Sequence, residues 1–347
     1  MATLAQKIRF LSEPSSYPHA PASVEPMETH WSWVFIAGNR VFKFKKPERR
    51  PFLDFSTLAA RHRNCAEEHR LNQKLAAGIY RRILPLTESA DGELKLDGDG
   101  TIVEWLVEMV RLPMTMMLDR QMAQGTVQQQ DIVAVGQKLA GFYSASAPQR
   151  ADGHLYLEHL AQEHAVSREL LTRPRFGLAE DAVDILDRVE ALFASVRGEI
   201  EARIVAGHIV EGHGDLRPEH VCLTTPPLII DCLEFNRSMR ILDPYDEVNY
   251  LGLECQFLGT GWIRTVLLET LDAQLRARPS PELMAFYGSF RAVLRARICI
   301  AHLLDDKPAT PEIWPGQTRA YLAMAKAEWT SCRSPEGDGS TPRHAGA

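Results

Sequence analysis

The stretch that most constrains this chain is Glu211-Gly212-His213-Gly214-Asp215-Leu216-Arg217-Pro218-Glu219-His220-Val221-Cys222-Leu223, followed by Ile229-Ile230-Asp231. Val221 to Leu223 reads as a short strand, Thr224-Thr225-Pro226-Pro227 as a turn, and Leu228 to Ile230 as the returning strand. Asp215 precedes the first strand and Asp231 ends the second, so a hairpin brings both carboxylates to the same end. A fold built on this stretch places two acids beside one opening, with room between them for a metal-bound phosphate and an acceptor hydroxyl.

Phosphoryl transfer needs little covalent help from a protein; one carboxylate orients or deprotonates the nucleophile and another holds a cation against the phosphates. Asp215 and Asp231 suit those two tasks. The stretch resembles the catalytic loop of the protein-kinase-like superfamily, H-R-D-L-K-P-E-N, matched at His213, Asp215, Leu216, Pro218 and Glu219, with Arg217 in the place of Lys. Gly214 gives the His-Gly-Asp form seen in aminoglycoside phosphotransferases. The resemblance implies ATP and Mg²⁺ as cofactors, Asp215 as catalytic base, Asp231 as metal ligand and Arg217 on the γ-phosphate. His220 stands where the superfamily has an Asn that binds a second Mg²⁺. Mg²⁺ prefers oxygen donors and imidazole suits other ions. His220 therefore coordinates a different ion, Mn²⁺ among them, leaves a one-metal site, or hydrogen-bonds the loop.

With 347 residues, 45% of them hydrophobic and 24% charged, the chain is long enough for two lobes with separate cores. A net charge of -6 argues against general nucleic-acid binding. Six scattered cysteines without a C-x-x-C pair read as reduced core thiols, and no apolar run is long enough for a signal peptide or membrane span. A cytoplasmic protein without membrane or nucleic-acid partners is expected, its oligomeric state left open.

Along the chain, residues 3–12 form a short amphipathic helix, and Pro14 to Pro26 an irregular connection. Trp31–Ile36 and Arg40–Lys45 flank Ala37-Gly38-Asn39 as an antiparallel pair. Alternation puts Val41, Lys43 and Lys45 on one face and Phe42 and Phe44 on the other. In a kinase-like lobe Lys43 then meets the nucleotide phosphates, and Val41, two residues earlier, roofs the adenine. A helix from Ser56 to Leu75 carries Leu58, Cys65, Glu68 and Leu75 on one face, with Ser56 as N-cap. The resemblance pairs Glu68 with Lys43. Leu94–Leu96 and Thr101–Val110 read as a hairpin, and the backbone from Glu108 to Val110 is implied to bond adenine at a hinge. No glycine-rich phosphate loop occurs; Thr29 to Ser32 is the expected substitute.

Beyond residue 114 the periodicity is helical. Thr126 and Gln129 signal a capping box, Ala182, Ile185, Val189, Leu192 and Val196 form a stripe, and Ser280-Pro281 opens another helix. Asp246 resembles an aspartate that ties the catalytic loop in related kinases, and also suits a helix N-cap. Glu158, Glu163 and Glu169 read as a solvated helix face.

The expected fold is α+β and bilobal, protein-kinase-like, with a small antiparallel sheet plus one helix and a larger helical lobe. Residues 1–107 form the nucleotide-binding lobe, 108–113 the hinge, 114–330 the helical lobe and 331–347 a disordered tail. The resemblance extends over about residues 24–325 and includes uncharacterised bacterial proteins, some with a further P-loop domain; lacking a Walker A sequence, this chain is expected to have none. The implied activity is ATP-dependent phosphotransfer to the hydroxyl of a small molecule. A nucleotide-binding pseudokinase and a nucleotidyltransferase on the same scaffold are the alternatives.

Overall fold

The computed structural model of the protein describes residues 2–304 and 310–331. The tail expected at 331–347 lies, from 332 on, outside the described residues; Ser331 closes the last helix. The chain forms two compact units, one of Met1–Tyr156 with Gly207–Arg276 and one of Leu157–Ala206 with the described residues from Ala277 on.

The first unit opens with α1 (Leu4–Ser12), capped by Thr3, whose hydroxyl accepts from the Gln6 N–H. A six-stranded antiparallel sheet follows, made of β1 (Val24–Glu28), β2 (Ser32–Ala37), β3 (Arg40–Lys45), β6 (Tyr80–Glu88), β7 (Leu94–Leu96) and β8 (Thr101–Val110) in the spatial order β1-β2-β3-β8-β6-β7. A small hairpin, β4 (Arg49–Arg50) with β5 (Leu53–Asp54), leads into α2 (Leu58–Leu75). The α2 cap is Thr57, one residue later than expected, because its hydroxyl receives the Ala60 N–H while Ser56 bonds Asp54.

Two strands of the six-stranded sheet differ from the sequence expectation. β1 is a strand despite Pro26, which is tolerated because β1 is the sheet edge and pairs only with β2. β6 was hidden by Arg81, Arg82 and Pro85, which break the apolar alternation. Its presence corrects the expected hairpin: Leu94–Leu96 pairs with β6, and β8 lies between β3 and β6.

The alternation along β3 sorts the two faces as expected. Phe42 and Phe44 join Leu11, Phe35, Leu84 and Leu106 in one core layer. The opposite layer gathers Cys65 of α2 with Tyr80 and Val107, and Lys43 is in register with Val107 on that side.

The rest of this unit is helical, with α3 (Leu118–Gln124), α4 (Gln129–Ala145), α7 (Pro244–Phe257) and α8 (Trp262–Leu275), α8 packing on both α4 and α7. The α4 cap is Gln128 in a box with Asp131, in place of Thr126 and Gln129; Thr126 instead bonds Gln121. The catalytic-loop hairpin is β10 (Val221–Cys222) with β11 (Leu228–Ile229), and β9 (Val210–Glu211) pairs with β12 (Ile241–Leu242). α5 (Gly153–Leu171) runs from the first unit into the second. The second unit holds α6 (Ala179–Ala206), α9 (Pro281–Ala301) and α10 (Trp314–Ser331), packed on one another. The expected stripe of α6 is buried, and Ser280 caps α9. Glu163 is not simply solvated: it is half-buried and pairs with Arg297.

Candidate active site

A cleft of about 480 Å³ in the first unit is lined by Lys43, Asp215, Arg217, Asp231, Glu234 and Phe235, together with the β1–β2 turn. It unites the three groups on which the sequence reading depends. Lys43 reaches it from the centre of β3, with Nζ 2.7 Å from Asp231 Oδ1 and 2.9 Å from Glu68 Oε1. Burial disfavours its charge, but Asp231 and then Glu68 outweigh that and raise its pKa well above the ordinary lysine value. Burial would likewise favour a neutral Asp231, yet Lys43, followed by His220, holds its carboxyl well below the usual carboxylate range.

Glu68 is shared. Its Oε2 accepts from Lys45 at 2.7 Å, so one fully buried carboxylate serves two lysines. Lys45 also pairs with Glu234 and lies 5.2 Å above the Phe55 ring. The alternation of β3, which puts both lysines on the α2 side, is the signal in the sequence for a second lysine beside Glu68.

Asp215 is held by its own backbone. Its N–H donates to His213 Nδ1 at 3.2 Å, and its carbonyl oxygen accepts from His220 Nδ1 at 2.7 Å. Arg217 is folded toward it, Nε to Oδ1 3.0 Å, and also pairs with Glu219 at 2.7 Å. Gly214 has φ +89°, and a Cβ there would stand 2.9 Å from Arg240 Cγ and 3.0 Å from Leu233 Cβ, which accounts for glycine between His213 and Asp215. The N–H groups of His213 and Gly214 donate to Glu247 at 2.9 and 2.6 Å. The carboxylate on these two N–H groups is thus that of Glu247, one residue past the expected Asp246. Asp246 receives the Tyr156 hydroxyl, and the α7 cap is Asp243.

Asp231 adopts φ +63°, uncommon for a residue with a side chain. The surroundings fix it: its N–H donates to the Tyr80 hydroxyl, the Cys232 N–H to Asn72 Oδ1, and the Leu233 N–H to the His213 carbonyl. Tyr80 and Asn72 were missed because their roles depend on β6 and on which face of α2 meets the loop. Arg240, 1% exposed, joins Glu67 of α2 and Glu211 to the carbonyl of Leu233.

The remaining expected site residues lie on β3 and β8. Val41 is in register with Met109 on β8. Glu108 is laddered by Phe42 and Arg82, and its buried carboxylate pairs with Arg40 at 2.8 Å and Arg82 at 2.7 Å. Val110 gives its N–H to the Ile79 carbonyl. β8 runs through Val110, with the bounds expected for the strand that leads into residues 108–113, and the irregular connection begins at Arg111. In the β1–β2 turn, the Thr29 and Ser32 N–H groups and the Thr29 hydroxyl are engaged within the turn.

His213 supplies a pH handle. Burial, with His220 nearby, lowers its pKa from 6.5 to about 4, while Nε2–H donates to the Ile230 carbonyl. Between those values the unfolded chain binds a proton that the folded chain refuses. The stabilisation is therefore complete above pH 6.5 and falls as the pH is lowered toward 4, by about 3 kcal/mol. Urea midpoints measured from pH 7 to 4 should fall, and His213→Asn should flatten that slope.

A cation implied by the superfamily finds suitable chemistry here. Asp231 is a carboxylate facing the cleft, with His220 Nε2 3.8 Å from its Oδ2. Among the described residues no three His, Cys, Asp or Glu side chains form a ready metal cage.

Residues 36–243 match the model of the phosphotransferase enzyme family, APH. The chain belongs to this family. Uncharacterized relatives in Mycobacterium tuberculosis and Mycobacterium bovis are 32% identical over 302 residues, covering 83% of this chain and 58% of each relative. This chain thus spans little more than half the length of those relatives. Among solved structures, a spectinomycin phosphotransferase in complex with ADP and spectinomycin aligns with a TM-score of 0.60 at 11% identity, covering 94% of this chain and 99% of the other. The fold is the bilobal α+β, protein-kinase-like one, with its small antiparallel sheet and helix followed by a mainly helical part. Among the described residues no helix is long and apolar enough to cross a membrane.

Proposed function

We propose that the chain is an ATP-dependent phosphotransferase that moves the γ-phosphoryl group to a hydroxyl of a small molecule. The observation that carries this reading is the Lys43 ammonium bridging Glu68 and Asp231 in the cleft that also holds Asp215. Lys43, oriented by Glu68, neutralises nucleotide phosphates. Asp215 accepts the proton of the acceptor hydroxyl as its oxygen bonds to the γ-phosphorus, and the bond from that phosphorus to the β,γ-bridging oxygen breaks to release ADP. Arg217, already beside Asp215, offsets charge on the transferred group. Asp231, and His220 next to it, would hold the divalent cation. That ion, when bound, supplies charge neutralisation of the phosphates.

A thermal-shift series with ATP or ADP, in Mg²⁺, Mn²⁺ or EDTA, tests the nucleotide step. At 100 times the dissociation constant, binding adds about 2.7 kcal/mol of stability, and Lys43→Ala should remove most of the shift. ATP consumption over a panel of hydroxylated compounds tests transfer. Binding without turnover would select a nucleotide-binding module. Pyrophosphate release, with label passed from α-labelled ATP, would select nucleotidyl transfer.

A further inference from the structure

His220 is a nearly covered side chain, 7% exposed, to which the phosphotransfer scheme gives no proton to move and no substrate atom to hold. Its ring stacks on that of His213 with centroids 5.8 Å apart. Nδ1 lies 2.7 Å from the Asp215 carbonyl oxygen. A carbonyl only accepts, so Nδ1 carries the hydrogen, and in the neutral ring Nε2 keeps a lone pair. Nε2 is 3.8 Å from Asp231 Oδ2, too far for a hydrogen bond. Ligand bonds of about 2.0–2.2 Å to nitrogen and oxygen let a single ion touch both atoms across such a gap. A bond from the second ring nitrogen to a backbone carbonyl is also how proteins orient metal-ligating histidines. On the other side, Lys43 holds Asp231 Oδ1 at 2.7 Å and leaves Oδ2 turned toward the imidazole.

We infer that His220 Nε2 and Asp231 Oδ2 form a mixed nitrogen and oxygen site that selects Mn²⁺ over Mg²⁺. The inference rests on the phosphotransferase reading for the nucleotide oxygens that complete the ion's shell. The chemical basis is the donor pair. Mg²⁺ is bound through carboxylates, phosphates and retained water, whereas a first-row transition ion gains from an imidazole nitrogen without losing the carboxylate and phosphate oxygens. His220 is thereby a specificity-determining residue for the cation and not a mere tie of the loop.

The test uses the full chain with ADP. Mn²⁺ is titrated in and free ion is followed by electron paramagnetic resonance, then Mg²⁺ is added in competition. Pulsed resonance reads the coupling of bound Mn²⁺ to an imidazole nitrogen. The wild type should show that coupling and His220→Asn should lack it. Relative to wild type, His220→Asn should release its Mn²⁺ at an Mg²⁺ concentration lower by about tenfold or more, the scale on which lost metal-orienting groups act. No nitrogen coupling in the wild type, a result that depends on no variant, overturns the inference; so does equal displacement by Mg²⁺ in both proteins. ADP binding followed in parallel by thermal shift separates the two claims. Coupling without ADP binding counts against the nucleotide reading and leaves the site standing. ADP binding without coupling does the reverse.

Discussion

Asp215→Asn is expected to lower turnover by roughly 10²–10⁴-fold, the worth of a positioned general base, while nucleotide binding persists. The substitution is nearly isosteric. The backbone contacts that place residue 215, its N–H on His213 and its carbonyl under His220, do not involve the side chain. What is lost is the basicity of a carboxylate that lines the cleft. On the proposed reading the nucleotide is held by Lys43 and Asp231 and not by the residue 215 side chain, so ADP should raise the unfolding temperature of the variant as it does that of the wild type. ATP consumption in the presence of an accepted hydroxyl compound is the measurement, and retention of full activity would move the base to another residue.

The largest stability effect is expected at Glu68. Its carboxylate is fully buried, 2.9 Å from the Lys43 ammonium and 2.7 Å from that of Lys45. Glu68→Gln keeps the volume and removes the charge. Two lysines then remain in a covered pocket with part of their compensation gone, a situation that costs about 3–5 kcal/mol when one partner of a buried pair is removed. The urea midpoint should drop accordingly. Glu67→Gln, one residue earlier, should cost less, because Glu67 is partly exposed and Arg240 keeps Glu211 at 2.8 Å. Equal losses at the two positions would show that the Lys43–Glu68–Lys45 group carries no special share of stability.

The parts of this fold that depend on local pattern were legible in the sequence. The β2–β3 hairpin, the face assignment along β3, the burial of Glu68 on α2, the stripe of α6 and the hairpin after Asp215 all follow from periods of two or 3.6 and from turn chemistry. What escaped depends on partners distant in the chain. β6 carries two arginines whose role appears only when Arg82 meets Glu108 on β8. β1 contains a proline that is acceptable only at an edge, and sequence does not say which strand will be the edge. At the site, Glu247 and Asp246 are adjacent acids, and a shift of one residue rotates a helical side chain by about 100°, enough to exchange which of them meets the loop. Tyr80 and Asn72 gain their roles only once Asp231 is held in its left-handed conformation.

The two imidazoles that grip the main chain of residue 215, one from two positions before and one from five after, leave that aspartate little freedom except torsion of its own short side chain. On the proposed phosphotransferase reading, such an arrangement does not tune the choice of alcohol by relocating the proton acceptor. Discrimination among acceptors then falls to the rest of the cleft lining, such as Trp31 and Phe235, so exchanging those residues should change which compound is used without slowing the reaction of those that still fit.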